Sequence, residues 1–181
     1  SPFAYVIQDR IPITAANISL KRRTSYGSST VPPKLVGNAI LFVTRSGRQV
    51  REFVEDPNTL EGFVAPDLLL LARHLTERSS EAGTDPTIVD MDYQREPDSR
   101  LWCGRSDGVL LCCTYLRDQN IVAWSRIVTE GSFESVCVIP HPDGNRDQVW
   151  VLVRRTINGQ TKRFVEYFDD LPGPEVELSL Y

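Results

Sequence analysis

Residues 100–118 of the chain read RLWCGRSDGVLLCCTYLRD. Two apolar runs flank Asp107-Gly108, and an Asp-Gly pair in that setting is typical of a two-residue type I′ hairpin, because both turn positions need a positive φ. Counting outward from the turn, this register pairs Cys103 with Cys112. Both faces of the hairpin are apolar, so we expect it to be buried on both sides, as a sheet between two other sheets is.

Three of the four cysteines of the chain lie in this hairpin. The predicted register places Cys103 beside Cys112 and turns Cys113 to the opposite face, so the three sulfurs cannot converge on one ion. The two histidines, His74 and His141, and the lack of a CxxC pair do not suit a zinc site either. We expect the cysteines to pack as small apolar side chains, with free thiols that indicate a reducing compartment. The alternative is a strained disulfide between Cys103 and Cys112.

Two further segments repeat the pattern of an apolar strand, a glycine turn and a second strand that ends in acidic residues. They are AILFVTRSGRQVREFVED at 39–56 and QVWVLVRRTINGQTKRFVEYFDD at 148–170. The turn glycines Gly47, Gly108 and Gly159 are therefore 61 and 51 residues apart. Repeats of that size are typical of propeller blades or of a solenoid.

Alternating apolar and polar residues predict strands along most of the chain. Nine are expected near 38–45, 48–55, 87–94, 99–106, 109–117, 120–128, 132–139, 147–155 and 160–168, with weaker ones near 3–8 and 17–24 and a short terminal strand in LPGPEVELSLY. One segment has a helical rhythm. In APDLLLLARHLTERSS, residues 65–80, Pro66 suits a first turn, and Leu68, Leu71, Ala72 and Leu75 fall on one helical face.

These elements predict an all-β fold of antiparallel, propeller-like blades with one short helix. We expect a single domain over residues 1–181, with repeat units near 12–60, 87–128 and 132–181 and the helix inserted at 65–80. Three blades make a partial propeller, because closed propellers have about four to eight. Either the N-terminal segment belongs to another blade, or the chain is an arc of a larger ring.

Composition limits the class of protein. The 181 residues are 41% hydrophobic, which is enough for one core, and no apolar run approaches the length that spans a membrane. The net charge of −4 disfavours binding of nucleic acid by bulk charge. Because Ser1 opens the chain and Met91 is its single methionine, we expect a processed chain or a piece of a longer one.

Side chains that could support catalysis are few. The sequence has no GxSxG, HExxH, P-loop or GxGxxG motif. His141 lies in a Pro/Asp/Gly loop, and His74 lies on the predicted helix, where solvated roles suffice. Glu166, Asp169 and Asp170 could be imagined as glycosidase acids, but carboxylates after a strand are common turn residues. We therefore expect no enzyme activity, no cofactor and no metal.

Basic residues offer a more suggestive surface. Two groups stand out: the run Lys21, Arg22 and Arg23, and the third hairpin, where Arg154 and Arg155 face Lys162 and Arg163. One interpretation is a solvated strand face that nearby acids balance. The other is a patch that contacts a polyanion or an acidic partner subunit.

Several long phrases of the chain resemble a known family. These are MDYQREPDSRLWCGRSDGVLLCCTYLRDQNIVAWSR, SFESVCVIP and VWVLVRRTINGQTKRFVEYFDD, with the upstream ITAANISLKRRTSYGSS, NAILFVTRSGRQVREF and APDLLLLARHLT. Together they are similar to tail hub or nozzle proteins of short-tailed bacteriophages, often labelled tail tubular protein B or phage stabilisation protein. The resemblance covers most of residues 12–170. It departs at Gly104, where a larger apolar residue is expected, and at Ile127, where histidine is expected.

The resemblance implies a structural role in the virion tail, with assembly in the bacterial cytoplasm. Six copies of a longer subunit would form a ring that joins the portal and adaptor to fibres, spikes or a needle, and DNA would leave through its centre. It transfers no functional residue to this chain, because the matching phrases describe strands and turns. The alternative is a propeller module that binds a ligand or a glycan, or a glycan hydrolase.

Overall fold

Thirteen strands make up the described part of the chain. The computed structural model describes residues 5–7, 14, 18, 20–59, 62–77 and 85–169, and at 5–7, 20 and 21 it describes the backbone alone. The strands are β1 (Tyr5–Ile7), β2 (Leu20–Arg22), β3 (Lys34–Val36), β4 (Ala39–Val43), β5 (Val50–Glu55), β6 (Phe63–Val64), β7 (Ile88–Gln94), β8 (Arg100–Arg105), β9 (Leu110–Leu116), β10 (Ile121–Ile127), β11 (Ser132–Pro140), β12 (Asp147–Ile157) and β13 (Gln160–Tyr167). Two 3₁₀ turns lie at Arg73–Leu75 and Arg117–Gln119. The nine central strands and the two N-terminal ones are confirmed, whereas β3 and β6 were not predicted. The predicted strand in the last eleven residues lies outside the described part.

Consecutive strands pair into antiparallel sheets. The first sheet has the order β3-β4-β5-β6, the second β7-β8-β9-β10 and the third β11-β12-β13, while β1 and β2 form a separate ribbon. The second sheet spans residues 88–127 and the third 132–167, and the first begins at Lys34. The single domain and the limits of its repeat units stay a prediction. The all-β antiparallel class is confirmed. The described strands close no ring or barrel, so their place in a propeller stays a prediction.

The three sheets stack through two hydrophobic cores. The first core lies between the first and second sheets and includes Leu41, Val43, Val50, Met91, Leu101, Cys103, Leu111 and Cys113. The second lies between the second and third sheets and includes Trp102, Leu110, Cys112, Phe133, Val136, Val149, Val151 and Val153. The central hairpin of β8 and β9 is thus buried on both faces, as its two-sided apolar pattern predicts, whereas β10 at the edge of the second sheet is mostly exposed.

The predicted register of the central hairpin is wrong by one residue. Leu101 pairs with Cys113 and Trp102 with Cys112, so Cys103 faces the first core and Cys112 faces the second. The loop has three residues, and Gly108 alone among them has a positive φ, +84°. Because side chains alternate along a strand, a shift of one residue changes which side chains of the two strands lie on the same face of the hairpin.

The side chain of Asp107 explains the loop that forms. Its carboxylate accepts hydrogen bonds from the Arg105 guanidinium, and Gly108 N donates to Arg105 O at 3.0 Å. In this arrangement Asp107 does not have the positive φ that a type I′ turn requires. The type I′ pattern occurs instead in the third hairpin, where Asn158 and Gly159 have φ of +51° and +75°.

The prediction of a helix over 65–80 is also wrong for residues 65–77, which are the part of that segment that the structure describes. Residues 65–77 form a β-bridge, turns and one 3₁₀ turn at Arg73–Leu75. Of the expected apolar face, Leu68 and Leu75 are buried, but Leu71 is 96% exposed. Residues 78–80 lie outside the described part.

The edge of the first sheet explains why this segment is extended. Glu52 N donates to Pro66 O at 3.1 Å, and Leu68 N donates to Val50 O at 2.9 Å. The Asp67 carboxylate then accepts a hydrogen bond from Leu69 N at 3.0 Å. Backbone groups that a helix would use internally are therefore bound to β5, and tertiary pairing overrides the local periodicity.

No helix in the described ranges has the length and apolar character needed to cross a membrane.

Candidate functional site

A repeated contact joins each sheet to the next through a turn glycine. Ile88 N at the start of the second sheet donates to Gly47 O at 2.7 Å, and Phe133 N at the start of the third donates to Gly108 O at 2.9 Å. Both glycines have a positive φ. A Cβ atom at Gly47 would lie 2.8 Å from Thr87 Cβ, and one at Gly108 would lie 2.5 Å from the Cβ of Ser132. The same close approach is therefore used at two successive joints.

Two aspartates on β7 bind the backbone of β11. Asp90 Oδ2 accepts hydrogen bonds from the Ser135 hydroxyl at 2.6 Å and from Val136 N at 2.9 Å. Asp92 Oδ2 accepts one from Val138 N at 2.7 Å, and its Oδ1 lies 2.7 Å from the ammonium of Lys34 on β3. Charged side chains on the first strand of the second sheet thus connect it to both neighbouring sheets.

A buried arginine makes another link. Arg105 donates to the carboxylate of Asp107 and to the backbone oxygen of Leu75, in the segment that follows the first sheet. Burial alone would raise the pKa of Asp107, but the hydrogen bond and the charge of Arg105 lower it below its usual value. The central turn is therefore held by a charge pair as well as by backbone bonds.

The four basic residues of the third hairpin pair as predicted, yet they divide between two faces. Arg154 is opposite Arg163, and Arg155 is opposite Lys162. Arg154 and Arg163 lie on the outer face of the third sheet, where Glu134 approaches both at 3.6 and 2.6 Å. Hydrogen bonding from Arg163 is the main cause of the lowered pKa of Glu134.

Arg155 belongs to the face that meets the second sheet. Its guanidinium binds the Glu166 carboxylate at 2.7 and 2.8 Å and also donates to Thr129 and to Glu130 O. The hydrogen bond from Arg155 lowers the pKa of Glu166. A general acid of a glycosidase needs a raised pKa, so this direction disfavours that role for Glu166.

The N-terminal basic run lies beside the first sheet. Arg22 Nε donates to Thr24 O at 3.0 Å, and the Arg23 guanidinium stands 5.6 Å from the ring centre of Phe63 on β6. The side chain of Lys21 lies outside the described part. Among the described contacts none joins these arginines to those of the third hairpin, so a polyanion or partner role for either group stays a prediction.

A cleft of about 640 Å³ between the first and second sheets was not predicted. At its floor the buried Glu52 carboxylate accepts from Arg117 Nε at 2.6 Å. The hydroxyl of Tyr115 is buried nearby, and burial together with the Glu52 charge raises its pKa. Trp124 lines one wall and donates to Leu68 O at 2.8 Å. One signal in the sequence was Glu52 itself, a charge at a position whose neighbours on the same face are apolar.

The thiols and histidines form no chemical centre in the described ranges. All four cysteines are free, with Cys137 exposed and the other three buried. Burial is the main cause that raises the pKa of Cys113 to about 12. His141 Nδ1 accepts from Asp143 N at 3.2 Å within its own loop, and His74 lines the cleft. No group of three or more His, Cys, Asp or Glu residues among those described is placed to hold a metal ion.

No family model matches the chain, and no curated protein matches it either. The likeness to tail proteins therefore rests on the quoted phrases alone.

Proposed function

We propose that the chain is a structural β-module of a short-tailed phage tail, in the hub or nozzle ring through which DNA is ejected. The proposal takes the class of particle from the resemblance of residues 12–170 to such proteins. It takes the structural role from the way the sheets are joined. The module would act in the virion tail beside adaptor, fibre, spike or needle proteins, after assembly in the bacterial cytoplasm.

The observation that carries the structural role is the use of buried or partly buried charged side chains to bind backbone atoms. Asp90, Asp92 and Arg105 bind backbone atoms of neighbouring sheets or of the segment at 65–77. Charged groups that are held in this way stiffen the contact, because removing one partner leaves a buried polar group without a hydrogen bond. In the proposed ring, such joints would hold the sheets in fixed positions around the opening through which DNA leaves.

The test is electron microscopy of the purified protein and of phage particles. We expect rings of six copies with a central opening, and a gold-labelled antibody against the chain should mark the distal end of the tail. An antibody against a capsid protein of the same particles serves as the control for position. Label on the capsid alone, or particles that lack the chain altogether, would refute the proposal.

One observation favours a second candidate, a module that binds a glycan or another small polar ligand. The cleft between the first and second sheets has the size of ligand pockets and combines Trp124 with Glu52, Arg117 and Asn120. A glycan-binding screen distinguishes the two. A hit that Glu52→Gln and Trp124→Ala both abolish, while Val165→Glu leaves it unchanged, would favour ligand binding over a purely structural role.

A further inference from the structure

Arginines from both predicted basic groups lie at the same end of the stacked sheets. We call it the turn end, because it holds the hairpin turns 44–49, 105–109 and 157–160. Arg22 lines a groove with Arg45 at the first of these turns. Arg154 and Arg163 line another groove, beside the central turn. Two basic groups that are far apart in the sequence therefore share one surface of the molecule.

The third hairpin projects beyond the other turns. Ile88 and Phe133 both donate to the turn glycine of the preceding sheet, and they pair with Arg105 and Val153. The second hairpin reaches its turn glycine three residues after Arg105, but the third reaches Gly159 six residues after Val153. Three extra residues on each strand extend this hairpin by about 10 Å.

Charge is distributed unevenly between the two ends of the stack. At the turn end, connections 44–49, 65–77, 85–87, 105–109 and 128–131 and hairpin 154–163 hold the basic residues Arg45, Arg48, Arg73, Arg105, Arg154, Arg155, Lys162 and Arg163 and the acidic residues Asp67, Glu77, Asp85, Asp107 and Glu130. At the opposite end, the described connections 37–38, 55–59, 95–99, 117–120, 141–147 and 168–169 hold the basic residues Arg95, Arg117 and Arg146 and the acidic residues Glu55, Asp56, Glu96, Asp98, Asp118, Asp143, Asp147 and Asp169. The net charge of −4 thus conceals a basic surface at one end.

Part of the positive charge at the turn end is not neutralised by nearby acids. Arg45 and Lys162 are exposed, and neither forms an ion pair with a residue that the structure describes. Arg154 and Arg163 share the single carboxylate of Glu134. The projecting hairpin therefore carries an excess of positive charge into solvent.

The groove beside this hairpin supplies further hydrogen-bond donors. The hydroxyl groups of Ser106 and Ser132 line it together with Arg154 and Arg163. Phosphate oxygens accept hydrogen bonds from arginine side chains and from hydroxyl groups. We propose that the turn end binds the phosphate backbone of duplex DNA, with the third hairpin as its main contact. The choice of DNA among polyanions rests on the proposed function, in which DNA passes through the ring.

The spacing of the sheets suits this contact. Arg45 belongs to the first sheet and Lys162 to the third, and packed sheets lie about 10 Å apart. The two cations are thus separated by roughly 20 Å across the stack, a length over which duplex DNA presents about twelve phosphates. One duplex can therefore contact both, while the acidic end of the module repels it.

Fluorescence anisotropy of a labelled duplex with the 181-residue chain tests the contact over a range of salt concentrations. The logarithm of the affinity should fall with the logarithm of salt concentration by about 0.9 for each phosphate contact. Arg45→Gln and Lys162→Gln should each reduce that slope by about 0.9 and raise Kd at about 50 mM salt by roughly ten-fold. The matched control is Arg95→Gln, which removes the same charge from an exposed residue at the opposite end and should change neither quantity. Circular dichroism checks that the variants stay folded.

Two results would overturn the contact with DNA. One is a chain that does not bind the duplex at about 50 mM salt, and the other is an equal effect of the three glutamine variants. Binding of polyglutamate but not of the duplex would also overturn it, in favour of an acidic protein partner. Rings of six copies that do not bind the duplex would leave the proposed function standing, whereas duplex binding by a chain that forms no ring would support the contact alone.

Discussion

Replacing Gly108 by alanine tests the joint between the second and third sheets. The φ of +84° costs a residue with a Cβ atom about 1–2 kcal/mol. The new methyl group would also lie 2.5 Å from Ser132 Cβ and 2.9 Å from its Cα. Overpacking of this kind adds about 1–3 kcal/mol. We therefore expect Gly108→Ala to lower the free energy of unfolding by about 2–5 kcal/mol in total.

Gly159→Ala is the matched control. The φ of Gly159 is +75°, close to that of Gly108, but no atom lies within 4 Å of the position of its Cβ. This variant should lose only the conformational part, about 1–2 kcal/mol. The effect of alanine on the entropy of the unfolded chain is common to both variants and cancels in their difference. The difference therefore isolates the contact with Ser132.

Urea unfolding, followed by tryptophan fluorescence, gives the two free energies. Trp102 lies in the second core and reports on the same contact. Adding Ser132→Gly to Gly108→Ala should restore part of the loss but not all, because the Cα at 2.9 Å remains. Equal losses in Gly108→Ala and Gly159→Ala would refute the role of Gly108 as a joint.

Three further perturbations test the other contacts. Asp90→Ala should lower the free energy of unfolding in urea by about 1–3 kcal/mol, because Val136 N loses its acceptor. Asp90→Asn keeps an acceptor oxygen and should lower it less. Equal losses in the two variants would contradict this account. Because the pKa of Asp107 is lowered in the folded chain, its pairing with Arg105 stabilises the fold above about pH 4, and this stabilisation is lost as the pH falls through the lowered pKa. The difference in unfolding free energy between wild type and Asp107→Asn should therefore shrink over that acid range. A difference that stays constant with pH would rule this out. A thiol reagent at pH 8 should modify Cys137 alone in the native chain and four thiols after unfolding; two thiols after unfolding would instead indicate a disulfide.

Strand positions were predictable because alternation depends on local residues alone. All nine strands predicted between residues 38 and 168 occur where the period-2 pattern places them. The short strands β3 and β6 were not predicted, because glycine or proline lies close on both sides of each and the alternating pattern does not extend beyond their two or three residues. The segment at 65–77 has a helical rhythm, but its backbone pairs with β5, and no local signal reveals a hydrogen bond to a distant strand edge.

The site was less predictable than the fold. The pairing of Arg154 with Arg163 follows from the Asn158-Gly159 turn, so the register of the third hairpin could be derived. The acid that binds these arginines could not be derived from the sequence, because Glu134 lies on another strand, at a bulge between Phe133 and Ser135. The cleft likewise depends on the spacing of two sheets, which the sequence does not encode locally.

The one-residue shift in the central hairpin shows how a side chain can decide the chemistry of a whole face. With the type I′ register, Cys103 and Cys112 would be opposite each other, and a disulfide would be conceivable. In the structure the Asp107 carboxylate binds Arg105, and the resulting three-residue loop assigns those two thiols to different cores. Removing that interaction with Asp107→Asn weakens the preference for the longer loop. If the charge pair sets the register, then Asp107→Asn, unlike Gly159→Ala, should increase the fraction of chains in which mild oxidation links Cys103 to Cys112.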